Sequence, residues 1–472
     1  MQFETLETLI RQQMRKRRTP GLALAVIKDG EVIFSKGFGL RTLKEHLPMT
    51  PDTLIGIGSV SKSFTAAAIV MLEERGLLSL EDSVADYLKG EPFRSRPQIK
   101  IKHLLSHSSG MPSVDAGMQR FQYAFDDFSR TYPASSREEL LAHMGDAGDY
   151  ILYEPGERFF YNNDGYTCLA YILEDVTGQS FEAFLQDNLL TPLGMTRAAL
   201  TKEAFDRDGN VMTGYVPDRS GGRDQLKASD VPIGGAVQAP GGIYASMTEM
   251  LGYARCLLDE GRYQGQQILK PCSLAKLFTP QIPTPYGSGL YDSGPQDSDK
   301  DPHYGLGWII SGCTETVPYK VVQHSGSMGT SSSNFVMVPE LKLGIMVAEN
   351  ASTGICPVIT DSVLATLLGH TPEEAVEDLR IDQAVEDIEG TYRSPHGMYQ
   401  FRVYRQNGVL QVDTEIDDGR KSFPLLVRDL NKLRFACYSL RADSQREVAF
   451  IREGVSGRAE YVAYDRYLYR RE

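Results

Sequence analysis

Apolar positions at Leu6, Leu9, Ile10 and Met14 fall three and four apart and predict an amphipathic helix over 4–17. Two strand patterns follow at 21–28 and 31–36, joined by Asp29-Gly30, a dipeptide that favours positive φ and a tight hairpin. From 59 to 76 the helical pattern is apolar on most faces, through Phe64, Ala67, Ala68, Ile69, Val70, Met71 and Leu72, which suits the centre of a large domain; Gly76 is its expected C-cap. Residues 100–270 read mostly as helices and loops, with helices at 103–106, 165–177, 181–188 and 248–260. The Gly/Asp/Pro-rich stretches 209–242 and 280–303 predict long surface loops of the kind that wall a binding site, and the loops of 112–150 also bear on cleft shape. Strand patterns return at 307–311, 320–324, 334–338 and 342–348, before a helix at 357–368. Strands at both ends of a helical middle imply one α/β domain, residues 1–370, whose sheet joins distant segments. The acidic, Pro-initiated stretch 371–387 suits a connector. From 388 to 472 short alternating strands, with turn signals at Asn407-Gly408, Asp418-Gly419 and Glu453-Gly454, predict an all-β barrel or sandwich.

Composition narrows the function classes. The 472 residues are 41% hydrophobic and 24% charged, ordinary for a chain with a sizeable core, and the net charge of −13 disfavours phosphate backbones and anionic lipid. No nucleic-acid or membrane partner is therefore expected. The longest apolar run, 66–72, is far short of the roughly 18 residues that span a bilayer, and the N-terminus lacks the basic start and apolar centre of an export signal. A cytoplasmic protein is expected. The six cysteines are scattered, without C-x-x-C or Cys/His clustering, and predict buried thiols rather than disulfides, and the eight histidines show no metal-ligand spacing.

Three short patterns carry candidate chemistry. Ser59-Val60-Ser61-Lys62 enters the apolar helix, placing a hydroxyl and an amine on one face three residues apart. A lysine head held in an apolar interior loses proton affinity and can exchange a proton with its neighbour, while the helix start adds free backbone N–H groups. Tyr161-Asn162-Asn163 supplies a phenol that can relay a proton beside a cation. His324-Ser325-Gly326-Ser327 ends a strand with small residues that let a substrate backbone approach, and the Ser327 N–H can face a cleft. Taken singly, each has a structural explanation: a helix-capping serine with a solvated lysine, a core tyrosine before an asparagine turn, a histidine satisfied within a strand. The nucleophile-elbow G-x-S-x-G, Walker A, G-x-G-x-x-G and H-E-x-x-H patterns are absent.

S-x-x-K, then Y-x-N about a hundred residues on, then H-x-G late in an α/β domain resembles the serine β-lactamase and penicillin-binding-protein superfamily, in particular its class C-related branch with D-aminopeptidases and esterases. Supporting stretches are Leu104-Leu105-Ser106-His107-Ser108-Ser109-Gly110-Met111, Pro155-Gly156, Thr191-Pro192-Leu193-Gly194-Met195, Pro240-Gly241-Gly242 and Tyr304-Gly305-Leu306-Gly307-Trp308, so the likeness covers roughly residues 5–370. It implies an antiparallel sheet flanked by helices plus a helical lobe. It also implies Ser59 as acyl-forming nucleophile, with Lys62 and Tyr161 sharing its proton and Asn163 bonding Lys62 and the substrate amide. His324, Ser325 and Gly326 would line the cleft edge, the backbone N–H groups of Ser59 and Ser327 would form the oxyanion hole, and no metal or organic cofactor would be needed. The ending, from Ile388-Glu389-Gly390-Thr391-Tyr392 to Tyr467-Leu468-Tyr469-Arg470, is similar to the lipocalin-like barrel appended to some family peptidases, which implies either cleft narrowing or subunit contacts in a homo-oligomer.

One departure bears on substrate. Histidine stands at position 324 where β-lactamases and transpeptidases usually carry the lysine of Lys-Thr-Gly, and a mostly neutral imidazole is a poor holder of a substrate carboxylate at neutral pH. The expected activity is hydrolysis of a small-molecule or short-peptide substrate, the peptides including ones with D-residues. A carboxylesterase for small acyl esters, a weak β-lactamase and a catalytically silent scaffold are the alternatives.

Overall fold

A computed structural model of the chain describes residues 2–113, 136–218, 225–287, 290, 301–406, 408–416, 419–439, 444–453 and 457–472. The chain divides into two compact units, Met1–His370 and Thr371–Glu472. Of the expected turns and loops, Asn407, Asp418, Gly454 and the stretches 114–135, 219–224, 288–289 and 291–300 lie outside the described residues.

The first unit is built on a nine-stranded antiparallel sheet. Its order is Ile282–Pro283, His303–Tyr304, Ile309–Ser311, Val321–Ser327, Ser332–Val338, Leu343–Glu349, Gly21–Lys28, Glu31–Thr42 and Leu47–Pro48. The strand Gly21–Lys28 pairs with Leu343–Glu349 on one side and Glu31–Thr42 on the other, so the two ends of the unit meet at its middle. The hairpin at Asp29-Gly30 has φ of +52° and +82°, the twist-matching turn that this dipeptide favours. Leu24, Val26 and their neighbours are fully buried, because both faces of the sheet are covered.

On one face lie the first helix, Gln2–Arg17, and the helix Ile355–Leu367. On the other lie Met247–Leu258 and the helix Ser61–Glu74, in which all twelve residues from Ser61 to Leu72 are buried. That enclosure explains why the latter helix reads as apolar all round. It ends at Gly76, whose φ of +69° only glycine adopts without strain. The helical middle contributes Asn163–Thr177, Phe181–Leu185 and the one-turn continuation Gln186–Leu190.

The stretch 209–242, expected as surface loop, is more ordered than its composition suggests. Gly214–Pro217 and Leu226–Ser229 form a hairpin, and Gln238–Gly241 is a short helix with Ala239 and Pro240 buried. Gly214, Gly242 and Pro240 serve close packing there, whereas Gly209, Pro217 and Gly235 are exposed. Four of the six free cysteines are buried as expected; Cys272 and Cys313 are exposed. Among the described residues no helix is long and apolar enough to cross a membrane, and no group of three His, Cys, Asp or Glu could hold a metal ion.

The second unit is a closed barrel of eight antiparallel strands: Gly390–Arg393, Gln400–Gln406, Val409–Ile416, Gly419–Asp429, Arg434–Ser439, Ser444–Ile451, Tyr461–Tyr464 and Tyr467–Arg471. Closure removes free strand edges. Tyr392, Phe401, Phe435, Phe450 and Tyr469 are among the side chains that fill its core. The acidic stretch 371–387, expected as a connector, holds the helices Pro372–Ala375 and Glu377–Ile388, and Ala384 and Ile388 pack into that core.

Candidate active site

Ser59 sits on the turn Gly58–Val60 that feeds the buried helix Ser61–Glu74. Gly58 has φ of +53°, and a Cβ there would stand 2.5 Å from the Ser327 nitrogen. A Cβ on Gly326 would strike the Ile57 carbonyl and lie 2.8 Å from the Ser59 nitrogen. Glycine at both positions lets the strand Val321–Ser327 press backbone to backbone on the serine turn. The hydroxyls of Ser331 and Ser333 fasten the neighbouring strand to the carbonyls of Gly56 and Ile57 at 2.9 and 2.6 Å.

Lys62, one turn on, is fully buried. Its Nζ lies 3.1 Å from Ser59 Oγ, 2.6 Å from Asn163 Oδ1 and 2.7 Å from the Pro240 carbonyl. It also sits 4.6 Å from the centre of the Tyr161 ring and 5.4 Å from that of Tyr166. A buried ammonium is tolerated only when its donors are satisfied, and this one has oxygen acceptors from three separate segments. The Asn163 and Pro240 oxygens can only accept, which commits two N–H groups and leaves the third direction of the amine pointing at the serine hydroxyl.

Asn163 is placed by its neighbour. Asn162 caps the helix Asn163–Thr177, its Oδ1 accepting from the Gly165 N–H at 2.9 Å while its amide donates to the Met111 and Pro112 carbonyls. His107 holds the same turn from behind: its carbonyl accepts from the Phe160 N–H at 2.8 Å, and its Nδ1 accepts from the Asn162 N–H at 3.1 Å. The His107 ring lies 4.3 Å from that of Tyr161, centre to centre. Burial, reinforced by the charge of Lys62, holds the imidazole well below its ordinary pKa.

His324 is buried, whereas Ser325 and Ser327 are exposed, following the alternation of a strand. Its Nε2 is 2.8 Å from the Tyr304 hydroxyl and its Nδ1 2.6 Å from the Ser325 carbonyl. A neutral ring satisfies both contacts, with Nδ1–H donating to the carbonyl and Nε2 accepting from the phenol. Burial, then repulsion from Lys62, drives its pKa down to about 3. His324 is thus an uncharged wall residue. Ser327 Oγ meets Ser352 Oγ at 2.9 Å at the exposed strand end.

The structure brings Ser59, Lys62, Tyr161, Asn163, His324, Ser325, Gly326 and Ser327 together. Sequence reasoning did not single out three further groups: the Pro240 carbonyl, His107 and Tyr304. All three lie in short stretches that carry the family likeness, but a carbonyl acceptor has no side-chain signature and a lone histidine or tyrosine has little.

A nine-stranded antiparallel sheet thus lies between helices, and a serine turn feeds a helix that carries a buried lysine. The chain belongs to the beta-lactamase family, whose model matches residues 6–367. That family includes the penicillin-binding proteins, and its members are typically serine hydrolases. The second unit matches the Pab87 octamerisation domain over residues 372–470. Penicillin-binding protein 4* of Bacillus subtilis is 27% identical over 328 residues, 68% of this chain and 66% of that protein. The structure of the octameric penicillin-binding protein homologue from Pyrococcus abyssi superposes with a TM-score of 0.88 at 31% identity, covering 99% of this chain and 100% of that one. A structure of SurE with D-Leu has a TM-score of 0.55 at 21% identity, with 100% and 99% coverage, and shows the fold alone. The barrel matches the octamerisation domain up to residue 470, and the lipocalin-like label expected from the sequence is not confirmed beyond an eight-stranded closed barrel.

Proposed function

We propose that the chain hydrolyses small peptides, including ones with D-residues, through an acyl-enzyme on Ser59. The observation that carries this reading is the buried Lys62 amine 3.1 Å from Ser59 Oγ, oriented by Asn163 and the Pro240 carbonyl. In this mechanism Lys62 is an ammonium whose positive charge stabilises Tyr161 as phenolate, and the Tyr161 oxygen takes the Ser59 proton as Oγ attacks the carbonyl carbon. The N–H groups of Ser59 and Ser327, on segments that abut through Gly58 and Gly326, stabilise the oxyanion. The leaving amine takes a proton from the same pair, and water then attacks the acyl carbon by the reverse relay. Neutral His324 offers no permanent cation for a substrate carboxylate, which favours peptides over penicillin-like acids.

Intact-mass spectrometry after brief exposure to L- and D-peptides, p-nitrophenyl esters and a cephalosporin tests this. A peptide-derived acyl adduct on the wild type, absent in Ser59→Ala, is expected. Adducts from esters alone would replace the peptidase reading with an esterase one. Absence of fluorophosphonate labelling at Ser59 in the folded protein would leave a silent scaffold.

We further infer that the barrel serves homo-oligomer assembly, as the domain match suggests. Its outer face carries Ala449 beside Ala463 and Ala463 beside Leu468, with Ile451 beside Tyr461, and Leu468 and Ile451 are 49% and 37% exposed. Small and apolar positions in register allow close, dry contact. Light scattering should show a multiple of the chain mass for the wild type and a lower one for Leu468→Glu; an unchanged mass would move the interface elsewhere.

A further inference from the structure

Beside the site stands a cluster of aromatic rings that the proton relay does not use. Tyr286 is 48% exposed, an unusual position for a large ring held by a defined framework. Its ring stands nearly perpendicular to those of Phe159 and Tyr161, at 81° and 89°, with centres 5.7 and 5.9 Å away. Phe159 in turn packs on Tyr304 at 5.5 Å. The backbone beneath Tyr286 is fixed: its N–H donates to Thr284 Oγ1 at 3.2 Å, and the Thr284 N–H donates to the Pro302 carbonyl at 2.9 Å. Just before them, Ile282 pairs with Tyr304 in the sheet. The Tyr161 ring contacts both Tyr286 and Lys62 Nζ, which is itself in contact with Ser59 Oγ.

We propose that Tyr286 and Phe159 form a shelf that receives an aromatic or branched aliphatic side chain next to the scissile bond, making the chain selective for neutral acyl donors with a bulky apolar group. This rests on Ser59 being the nucleophile. A half-solvated ring gains when an apolar group covers it, and perpendicular aromatic neighbours hold it ready without a cost in side-chain ordering. Neutral His324 beside the same rings, 6.5 Å from Tyr161 and 5.7 Å from Tyr304, adds no charge that would favour a carboxylate there.

The test compares kcat/KM for p-nitrophenyl phenylacetate and p-nitrophenyl acetate in the wild type, Tyr286→Ala and Tyr286→Phe. The wild type should prefer the phenylacetate. Tyr286→Ala should lower that preference about tenfold, and Tyr286→Phe should keep it, because the ring rather than the hydroxyl makes the shelf. Dissociation constants for benzylboronic and methylboronic acid, which add to the serine hydroxyl, read the same ratio by calorimetry even in a variant that turns over slowly. A ratio unchanged in Tyr286→Ala, or a wild type that does not distinguish the paired probes, overturns the shelf while leaving Ser59 in place. Failure of a fluorophosphonate to label Ser59 overturns the underlying reading as well.

Discussion

His324 and Glu349 are both buried on the nine-stranded sheet of the first unit, on opposite faces. His324 shares its face with Phe335, its register partner, and with the helix that carries Lys62. Glu349 lies on the face covered by the helices Gln2–Arg17 and Ile355–Leu367 and is 0% exposed. The histidine has one side-chain partner, Tyr304, and a repelling cation nearby, so it stays uncharged. The carboxyl accepts from Ser332 Oγ at 2.6 Å and from Thr353 N and Oγ1 at 2.9 and 2.7 Å. Burial still outweighs those bonds and pushes its pKa up. His324 thus has a single side-chain hydrogen-bond partner, whereas on the far face the Glu349 carboxyl takes bonds from Ser332 and Thr353 that fasten the 349–353 corner.

The sharpest way to separate the faces is Lys62→Met, which keeps the length and removes the amine. It should lower kcat by about 10²- to 10⁴-fold while the circular dichroism spectrum is retained. Survival of normal turnover would remove Lys62 from the relay. Next in size, Tyr304→Phe leaves the buried His324 Nε2 without its donor and should cost about 1–3 kcal/mol in urea unfolding. Ser332→Ala, on the far face, leaves the Thr353 bonds to Glu349 in place and should cost about 1 kcal/mol, so equal losses would erase the contrast.

The two groups also set opposite pH dependences. The folded-state pKa of His324 is lowered to about 3, so between that value and its ordinary 6.5 the unfolded chain binds more protons. Its contribution is complete above pH 6.5 and is lost as the pH falls towards 3. His107 acts in the same direction, so His324→Gln should flatten only part of the acid-side slope in denaturation measured from pH 4 to 7. The raised pKa of Glu349 works the other way: above its ordinary 4.5 the folded state holds the proton longer, and stability falls as pH rises towards the folded value. Glu349→Gln should remove that small opposing slope. A steeper alkaline-side fall in the variant would show that the carboxyl is ionised and stabilising.

Much of the fold was legible because each pattern reported a local environment. The Gly21–Lys28 strand and the Asp29-Gly30 turn stand where alternation and positive-φ chemistry put them. The helix behind Ser59 reads as apolar on all sides because it lies between the sheet and the helical middle. The segment 209–242 was misleading for the converse reason: glycine and proline signal loops, yet at Pro240 they allow a backbone carbonyl to come within 2.7 Å of Lys62. No residue type announces a carbonyl acceptor, so that part of the site could not be read from letters.

The order of side chains along the chain was enough to set which hydroxyl, amine and phenol could work together, since spacing within a helix and the character of its faces are local properties. Whether they meet was decided by packing between segments about a hundred or more residues apart: the bond from Lys62 to Asn163, the glycine contact between residues 58 and 326, and the burial that neutralises His324. Those depend on enclosure and on distances through space, to which a linear pattern of residues carries no direct measure.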